Sequence, residues 1–426
     1  MSQNARSGLE KAIANTLDKR RLQSTIRQLT TKPKDSADFS SNDFLSLASS
    51  TELQRLFLKE IQNGTSSSIL GSGGSRLLDG NSTDAERLEH DLANFHNAEA
   101  GLLCNSGFDA NVGLFSSLPQ PGDVIVYDEF IHASVHDGMR LSRAGKCLSF
   151  VHNDMAALRS ILNLCLIEDG AIREGKRNVF VAVETVYSMD GDIAPLNEVV
   201  KVVKTMFPRG NGHLIVDEAH STGIFGRNGR GLVSELGLEK EVTVRLHTFG
   251  KALACNGAIM LCSPLIRQYL INYARPLIYT TFMSHPALAA IRASYSFMVQ
   301  GKTEPLACKL KTLIRLLHDQ LLELQQSLHL SPKDAHLLRV PEACPQSPIF
   351  SILSSEPKAL AAYSQSHGFV VRGILPPTVP AGTERIRVCL HAGNTPQEIE
   401  ALVENIRSWV VKRQRETREK QDRARL

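Results

Sequence analysis

The sequence has no long run of apolar residues. Its most apolar window, residues 252–266, is interrupted by Asn256, Gly257 and Pro264 and is shorter than the roughly 18 residues that a membrane span needs. The N-terminal segment, MSQNARSGLEKAIANTLDKRR, has no apolar core of signal-peptide length either. These absences predict a soluble protein without a membrane span.

The sequence also lacks paired cysteines. Its eight cysteines form no CxxC motif, and no histidine lies near them at the spacing of zinc ligands. Because closely spaced cysteines mark disulfide frameworks and zinc sites, we expect no metal and free thiols in a reducing compartment. Most of them are expected to be small buried apolar residues.

Positive charge is not concentrated in a binding stripe. The net charge is +4 over 426 residues, and much of the positive charge lies at the two ends of the chain. No basic stripe alternates with aromatic residues, so nucleic-acid binding is not expected. At about 150 residues per domain, the length indicates two or three structural units.

The middle of the chain alternates short β-rich runs with longer amphipathic stretches. This rhythm is typical of βα units and predicts an α/β fold with a mostly parallel sheet. From Ser347 onward an α+β rhythm replaces it. We predict an N-terminal arm over residues 1–50, a large α/β domain over 51–300, a small α+β domain over 301–413 and a charged tail over 414–426.

The predicted strands of the large domain are residues 101–104, 124–127, 179–184, 213–216, 242–248 and 258–262. Those of the small domain are residues 349–353, 369–371 and 385–390, with helices over 305–330 and 395–413.

A carboxylate follows one of the buried strands directly. The segment Asp217-Glu218-Ala219-His220 comes after the strand over 213–216, and functional groups collect at the carboxyl ends of strands in open α/β sheets. A carboxylate there suits a pyridine nitrogen, which it would keep protonated. The same D-E-x-H pattern occurs in helicases. That alternative requires a Gly-rich phosphate loop with Lys and Ser/Thr, and the sequence has none.

A lysine lies after the next strand, in Thr248-Phe249-Gly250-Lys251-Ala252. The small neighbours of Lys251 leave room for a Schiff base, and burial would lower its pKa and favour the nucleophilic amine. Taken alone, such a lysine is more often a solvated surface residue. Its place after Asp217 and His220 in the chain favours the catalytic interpretation.

Two further segments supply groups of the kind that hold a phosphorylated ring. Ser106-Gly107-Phe108 precedes a helical stretch and fits a helix N-terminus that presents backbone N–H groups to phosphate. His132, in Asp128-x-x-x-His-Ala-Ser, is placed to stack on a ring, although a lone histidine is more often structural.

Taken together, these motifs resemble the α-oxoamine synthases, a family of pyridoxal phosphate (PLP)-dependent acyl-CoA transferases. The similarity runs from about Phe39 to Ala392. The resemblance implies PLP as cofactor, the aspartate aminotransferase-like fold (fold type I), and a homodimer with its active site at the subunit interface. The matching segments are SNDFLSL (41–47), GSGGSRLLDGNS (71–82), CNSGFDAN (104–111), DEFIHAS (128–134), HND (152–154), ETVYSMDGDIAPL (184–196), DEAHSTGIFGRNGRG (217–231), TFGKA (248–252), ARPLIYTT (274–281) and PPTVPAGTERIRV (376–388).

The resemblance also implies a role for each matching residue. Lys251 carries the cofactor as a Schiff base and moves protons at the substrate Cα. Asp217 pairs with the pyridine nitrogen, His220 with the phenolic oxygen, and His132 stacks on the ring. Glu184 lies at the site. Further cofactor contacts are implied for Ser106, Gly107, Phe108, Ser188, Thr248 and Thr281, the last from the neighbouring subunit, and substrate contacts for Arg27, Asn42 and Thr378.

Within the family, the sequence looks most like the biotin-pathway enzymes that join L-alanine to pimeloyl-CoA and release CoA and CO2. Alternatives are another amino acid and acyl-CoA, as in glycine acetyltransferases or secondary metabolism, or a catalytically silent partner subunit. Two positions depart from the family pattern: Leu375 replaces an arginine expected to bind the amino-acid carboxylate, and Ala85 replaces a histidine. Arg372 is the candidate to replace the missing arginine.

The chain ends in Ala424-Arg425-Leu426, a variant of the small-basic-leucine peroxisomal address. The charged segment before it would leave the tripeptide accessible to an import receptor. A chance match is the alternative, since three-residue matches are common. We expect a peroxisomal protein, and otherwise a cytosolic one.

Overall fold

A seven-stranded sheet organises the larger of two units into which the chain divides, Met1–Ser36 and Ala37–Leu426. The computed structural model describes residues 7–23, 25–63 and 70–425, with side chains up to residue 419. The first unit contains helix α1 (Gly8–Leu22), which begins at a capping box between Ser7 and Glu10 and buries none of its residues. The further boundaries predicted at residues 50, 300 and 413 stay predictions.

The second unit contains the remaining helices and all the strands of the described residues. The strands are β1 (Ala37–Asp38), β2 (Ala100–Cys104), β3 (Val124–Asp128), β4 (Lys146–Phe150), β5 (Val179–Glu184), β6 (Gly212–Asp217), β7 (Val244–Thr248), β8 (Ala258–Cys262), β9 (Ile349–Leu353), β10 (Phe369–Val370), β11 (Arg372–Ile374) and β12 (Arg385–Cys389). The helices are α2 (Thr51–Asn63), α3 (Thr83–Phe95), α4 (Gly107–Ser117), α5 (Ala133–Arg140), α6 (Met155–Glu168), α7 (Gly170–Arg173), α8 (Leu196–Met206), α9 (Leu232–Glu235), α10 (Pro264–Tyr273), α11 (Arg275–Ile278), α12 (His285–Val299), α13 (Glu304–Ser327), α14 (Pro357–Ser366) and α15 (Pro396–Arg425).

The large sheet has the strand order β2-β8-β7-β6-β5-β3-β4. Every pairing is parallel except those of β8, which is antiparallel to both β2 and β7. This confirms the predicted α/β fold with a mostly parallel sheet. The sequence patterns did not reveal β4 because it is an edge strand with mostly exposed side chains, so it lacks the apolar signature of the buried strands.

Both faces of the sheet are covered, as a parallel sheet requires. In β5 all six residues are buried, and successive side chains enter different hydrophobic clusters. Val179, Val181 and Val183 belong to one cluster, and Phe180 and Ala182 to another. Burying one such valine or phenylalanine fully contributes roughly 1.5–3 kcal/mol, so this strand is a rigid support for the residues at its end.

A second, antiparallel sheet with the order β11-β12-β9 follows in the chain. The strand predicted over 369–371 is observed as β10, which ends at Val370 and pairs in parallel with β1, while β11, which pairs with β12, begins only at Arg372 and was not predicted. The helix predicted over 305–330 ends at Ser327, and the helix predicted over 395–413 continues to Arg425. Among the described residues, no helix combines the length and apolar character needed to cross a bilayer.

The parallel arrangement places the predicted site residues at one edge of the large sheet. Strands β3, β5, β6 and β7 run in the same direction, so their carboxyl ends meet there. Glu184 ends β5 and Asp217 ends β6, while Lys251 follows β7 by three residues. The edge of the sheet therefore gathers side chains that lie far apart in sequence.

Candidate active site

Lys251 lies close enough to Asp217, Glu184 and Arg387 for their charges to act on it. Burial lowers the pKa of its ammonium group below the ordinary value, and the nearby Arg387 adds to this shift. The carboxylates of Asp217 and Glu184 oppose it by attracting the charged form. The lowered pKa favours the neutral amine, which is the form that attacks a carbonyl group.

Asp217 is buried and held by two hydrogen bonds. The backbone N–H of Ala219 donates to Asp217 Oδ1 at 2.9 Å, and Asn111 Nδ2 donates to Asp217 Oδ2 at 2.9 Å. Both bonds leave lone pairs of the carboxylate available for a further donor. The side chain is thus fixed as an acceptor at the end of β6.

His132 caps helix α5 and is held in one tautomer. Its Nδ1 accepts from the backbone N–H of Ser134 at 3.2 Å and lies 2.8 Å from Ser134 Oγ. Asn111 Nδ2 donates to Ser134 Oγ at 2.9 Å, so the hydroxyl proton is directed to Nδ1. This places the ring proton of the neutral imidazole on Nε2. Burial lowers the pKa of His132 and keeps it neutral, although the charge of Asp217 acts in the opposite direction.

Two further buried groups complete this edge. Desolvation raises the pKa of Glu184 well above its ordinary range, and Asp217 adds to the shift, so Glu184 favours its protonated form. Desolvation lowers the pKa of His220 well below its ordinary range. Among the described residues, His220 Nδ1 has no hydrogen-bond partner although it is buried. An unpaired buried nitrogen of this kind points to a ligand that supplies the missing partner.

The N-terminus of α4 faces the end of β7. Ser106 is the N-cap and accepts from the backbone N–H of Asp109 at 3.0 Å. A Cβ atom on Gly107 would lie 3.3 Å from Thr248 Oγ1, so glycine allows the close approach of α4 to β7. Phe108 is exposed and its ring is edge-on to His132 at 6.5 Å. The free N–H groups of this helix end are suited to an anion.

These groups fit PLP. The cofactor has a pyridine nitrogen, a phenolic oxygen, an aldehyde and a phosphate, and the site offers one suitable partner for each. Asp217 is an acceptor for a protonated ring nitrogen, His220 has an unpaired nitrogen, Lys251 is an amine and Gly107 begins a helix. The observation that decides the fit is the buried, unpaired His220 Nδ1.

Arg387 is a residue of the site that the sequence motifs did not reveal. It lies on β12, and its Nε donates to the backbone oxygen of Ser188 at 2.6 Å while Nη2 donates to Asn42 Oδ1 at 3.0 Å. Its charge acts on both Lys251 and His220. The signal was present in the sequence, because Arg385 and Arg387 alternate with apolar residues in a predicted strand, and arginines are rarely buried.

The other predicted contacts differ in their surroundings. Ser188 and Asn42 are brought to it through Arg387. Thr281 is exposed, and its backbone oxygen accepts from Asn105, the neighbour of Ser106. Thr378 is exposed in the turn after Leu375, and Arg27 is exposed in the first unit.

The structure shows where the two departures from the family pattern, at positions 375 and 85, lie in the fold. Arg372, predicted to replace the arginine missing at Leu375, is exposed on β11 and lies directly opposite Arg387 in the antiparallel ladder. Because directly opposed residues share one face of a sheet, both arginines are on the same side. Ala85 is fully buried in α3.

Comparison with known proteins agrees with this geometry. Residues 34–406 match the family "Aminotransferase class I and II". The chain is 54% identical to 8-amino-7-oxononanoate synthase of Emericella nidulans, over 94% of this chain and 96% of that protein. It is 38% identical to aminoacyl transferase sphA of Aspergillus fumigatus, over 92% of this chain and 85% of that protein.

Solved structures show the same fold. Serine palmitoyltransferase from S. paucimobilis, solved with PLP and myriocin, superposes with a TM-score of 0.79 at 24% identity, over 95% of this chain and 98% of that one. The 8-amino-7-oxononanoate synthase of Francisella tularensis superposes with a TM-score of 0.69 at 27% identity, over 89% and 99%. The chain belongs to the class I and II aminotransferase family, with fold type I, and within it to the PLP-dependent acyltransferases known as α-oxoamine synthases.

Proposed function

We propose that this enzyme joins L-alanine to pimeloyl-CoA and forms 8-amino-7-oxononanoate, CoA and CO2 for biotin synthesis. The 54% identity to the Emericella nidulans protein carries this proposal, because that protein is named for this product and the match covers nearly all of both chains. The site supports it with a buried amine, a carboxylate and an arginine at one sheet edge.

Five residues would hold the cofactor. Lys251 would bind it covalently, Asp217 would keep its ring nitrogen protonated, and His220 would pair with its phenolic oxygen. His132 would lie on the ring, and the helix that begins at Gly107 would bind the phosphate. When bound, PLP supplies an electron sink for negative charge that develops on the substrate Cα.

The residues of the chain then manage protons and orientation. Once the amino group of alanine has replaced it on the cofactor, the freed Lys251 amine would accept the Cα proton of alanine. Cα would then form a bond to the thioester carbonyl carbon while CoA leaves as its thiolate. The bond between Cα and the carboxylate carbon breaks and releases CO2. Lys251 returns a proton to Cα, so no oxidant or reductant is needed.

Arg387 is the group that we assign to the amino-acid carboxylate. Its guanidinium group acts electrostatically on Lys251, and it is buried, so a carboxylate bound to it would be poorly screened by water. With Arg387 in this role, the proposed reaction would not need an arginine at position 375. The other candidate, Arg372, is exposed and remains a prediction to be tested beside it.

Two other functions remain as competing hypotheses. The 38% identity to aminoacyl transferase sphA favours a related synthase that uses another amino acid and acyl-CoA. A silent partner subunit is the other hypothesis, and the joint presence of Lys251, Asp217, His220 and His132 argues against it.

One experiment separates these functions. Purified enzyme is incubated with alanine, glycine or serine against a panel of acyl-CoAs, and CoA release and product mass are followed together. We expect release with alanine and pimeloyl-CoA and a product with the mass of 8-amino-7-oxononanoate. No release with this pair would remove the assignment. Borohydride treatment should fix the cofactor on the wild type and not on Lys251→Ala, whereas a silent subunit without cofactor would show no label.

We also propose a homodimer with its active site at the subunit interface. The exposed Thr281 supports it, since the family resemblance implies that this residue reaches the neighbouring subunit's phosphate. Light scattering should give twice the chain mass, and a monomer that turns over substrate would reject the dimer.

Peroxisomal import stays a proposal from the sequence. The tripeptide Ala424-Arg425-Leu426 lies outside the residues whose side chains the structure describes. Deleting it should disperse a fluorescently tagged enzyme from peroxisomes, and an unchanged distribution would reject the address.

A further inference from the structure

His152 bridges two carboxylates beside the site. Its Nδ1 lies 2.8 Å from Asp128 Oδ1, and its Nε2 lies 2.6 Å from Asp192 Oδ2. A histidine donates from both ring nitrogens only when it is protonated. The ring is stacked on Phe130 at 4.4 Å and meets the edge of Tyr187 at 4.4 Å. Histidine, two carboxylates and two aromatic rings therefore form one compact cluster.

The charged state of His152 follows from these contacts. Burial lowers its pKa, but the hydrogen bonds and charges of Asp128 and Asp192 outweigh burial and raise the pKa to about 10. The neighbouring residue strengthens the bridge: Asn153 N donates to Asp128 Oδ2 at 2.9 Å, and Asn153 Nδ2 donates to Asp192 Oδ2 at 2.7 Å. Residues 152 and 153 thus hold the same two carboxylates.

One of these carboxylates anchors the turn that leads to His132. Asp128 ends β3, and its Oδ1 accepts from the backbone N–H of Phe130 at 2.9 Å. Its backbone oxygen accepts from Ile131 N at 2.9 Å. The side chain and the backbone of Asp128 therefore shape the short turn that separates β3 from His132.

The other carboxylate anchors the loop that carries Ser188. Tyr187 N donates to the backbone oxygen of Asp192 at 3.0 Å, and Val186 pairs with Ile193 in an antiparallel bridge, so residues 186–193 form a closed loop. On its other side this loop is held by β12: Arg385 pairs with Asp190, and Arg387 donates to the Ser188 oxygen. His152 and Asn153 together join this loop to the His132 turn, and His152 is the member of the pair that carries a charge.

We propose that His152 is a positioning residue, which as an imidazolium sets the spacing between the His132 turn and the Ser188 loop. The proposal rests on the proposed function, since that function places His132 and Ser188 at the cofactor. His152 itself touches no reacting atom. Its loss would leave the carboxylates of Asp128 and Asp192 without the cation between them, and their like charges would repel each other.

The test uses the full-length enzyme and two variants, His152→Asn and Asp192→Asn. His152→Asn removes the charge and one of the two bridging donors, so the Kd for PLP should rise at least tenfold and the bound cofactor's absorbance should change. Asp192→Asn leaves the Asp128 contact and should raise the Kd by a smaller factor. The double variant no longer has two facing carboxylates, so it should bind PLP more tightly than His152→Asn alone. If His152→Asn does not fold, the Asp192→Asn result decides.

A matched histidine substitution separates positioning from stability. His213 lies at the opposite end of the sheet, in β6, where its Nε2 is 3.1 Å from Asn178 Oδ1. His213→Asn should leave the Kd for PLP within twofold of the wild type. A His152→Asn enzyme that melts earlier but keeps the wild-type Kd for PLP and KM for the amino acid would overturn the proposal. A wild type that binds PLP but makes no product would instead remove the proposed function and leave this result intact.

Discussion

Asn111 Nδ2 donates one hydrogen to Asp217 Oδ2 and the other to Ser134 Oγ, and each donor–acceptor distance is 2.9 Å. Since Ser134 Oγ lies 2.8 Å from His132 Nδ1, a single chain of hydrogen bonds joins two of the predicted cofactor contacts. The amide side chain orients a carboxylate at one end and selects the tautomer of an imidazole at the other. Orienting groups of this kind are needed because a site residue placed slightly wrong loses much of its effect.

Asn111→Ala should therefore weaken cofactor binding and catalysis together. Removing one partner of a buried acceptor costs about 1–3 kcal/mol, which is roughly tenfold to a hundredfold in an equilibrium constant. The Kd for PLP and kcat should be measured beside Ser116→Ala, a control on the same helix whose hydroxyl, within the described part of the chain, donates to the Gly113 backbone oxygen at 3.3 Å and to no site residue. Equal results for the two variants would show that the chain of bonds has no role in the site.

Substitutions of Arg387 and Arg372 decide which of the two arginines binds the carboxylate of the amino acid. Arg387→Lys keeps the charge but loses the planar fork that binds a carboxylate with two bonds, so KM for alanine should rise about tenfold or more. Arg372→Ala should change this KM by less than about threefold, because the side chain is exposed. KM for pimeloyl-CoA serves as the internal control. A large rise for Arg372→Ala with none for Arg387→Lys would return the role to Arg372.

His152 also gives a prediction about the pH dependence of stability. Its pKa is raised from the ordinary value of 6.5 to about 10, so its contribution to the free energy of unfolding is complete below about pH 6.5 and is lost as the pH rises to about 10. The ionisable groups around it are Asp128, Asp192, Tyr187 and Glu129, which accepts from its backbone N–H. Burial raises the pKa of Tyr187 well above its ordinary range, which keeps it neutral in this window.

Urea unfolding between pH 6.5 and 9.5 measures this effect. The wild type should lose stability across the window more steeply than His152→Asn, and the two curves should approach each other at the alkaline end. Parallel curves would mean that His152 does not carry the charge that its two carboxylates imply.

The sequence predicted the parts of the site that depend on order along the chain. Asp217 and Lys251 each follow an apolar strand, and strand ends meet at one edge of a parallel sheet whatever the details of packing. The Asn111–Asp217 bond joins residues 106 positions apart and depends on how α4 packs on the sheet, which no local pattern shows. Arg387 is the intermediate case, since its alternation with apolar residues in a predicted strand was visible, whereas its burial and its bond to Ser188 were not.

The missed strand β4 and the wrong end of the strand predicted over 369–371 also depend on the folded chain. The edge strand β4 has the exposed residues Lys146 and Cys147, so its side chains carry no alternation or apolar run to detect. The segment 369–371 reads as one strand because its residues are all apolar. Its pairing with β1 ends at Val370, and the next strand, β11, begins at Arg372 against a different neighbour, β12, and these neighbours are known only in the folded chain.

The last prediction concerns Gly231 and the buried Glu218. Glu218 follows Asp217 and accepts from the backbone N–H groups of Leu232 at 2.7 Å and Val233 at 3.3 Å. Gly231 has a φ of +103°, and a Cβ atom there would overlap Glu218 Oε2. Gly231→Ala should thus lower the free energy of unfolding by more than the roughly 1–2 kcal/mol of backbone strain alone.

Gly237 is the control, because it also has a positive φ, +67°, and a Cβ atom there would meet no atom of the described residues within 4 Å. Gly237→Ala should show only the milder strain of a left-handed residue. The difference between the two variants therefore measures the displacement of Glu218 together with the greater strain at Gly231, whose φ of 103° and ψ of 170° are adopted essentially by glycine alone. Because Glu218 adjoins Asp217, Gly231→Ala should also bind PLP more weakly, whereas Gly237→Ala should not. Equal losses of stability in the two variants would show that Glu218 moves aside at no cost.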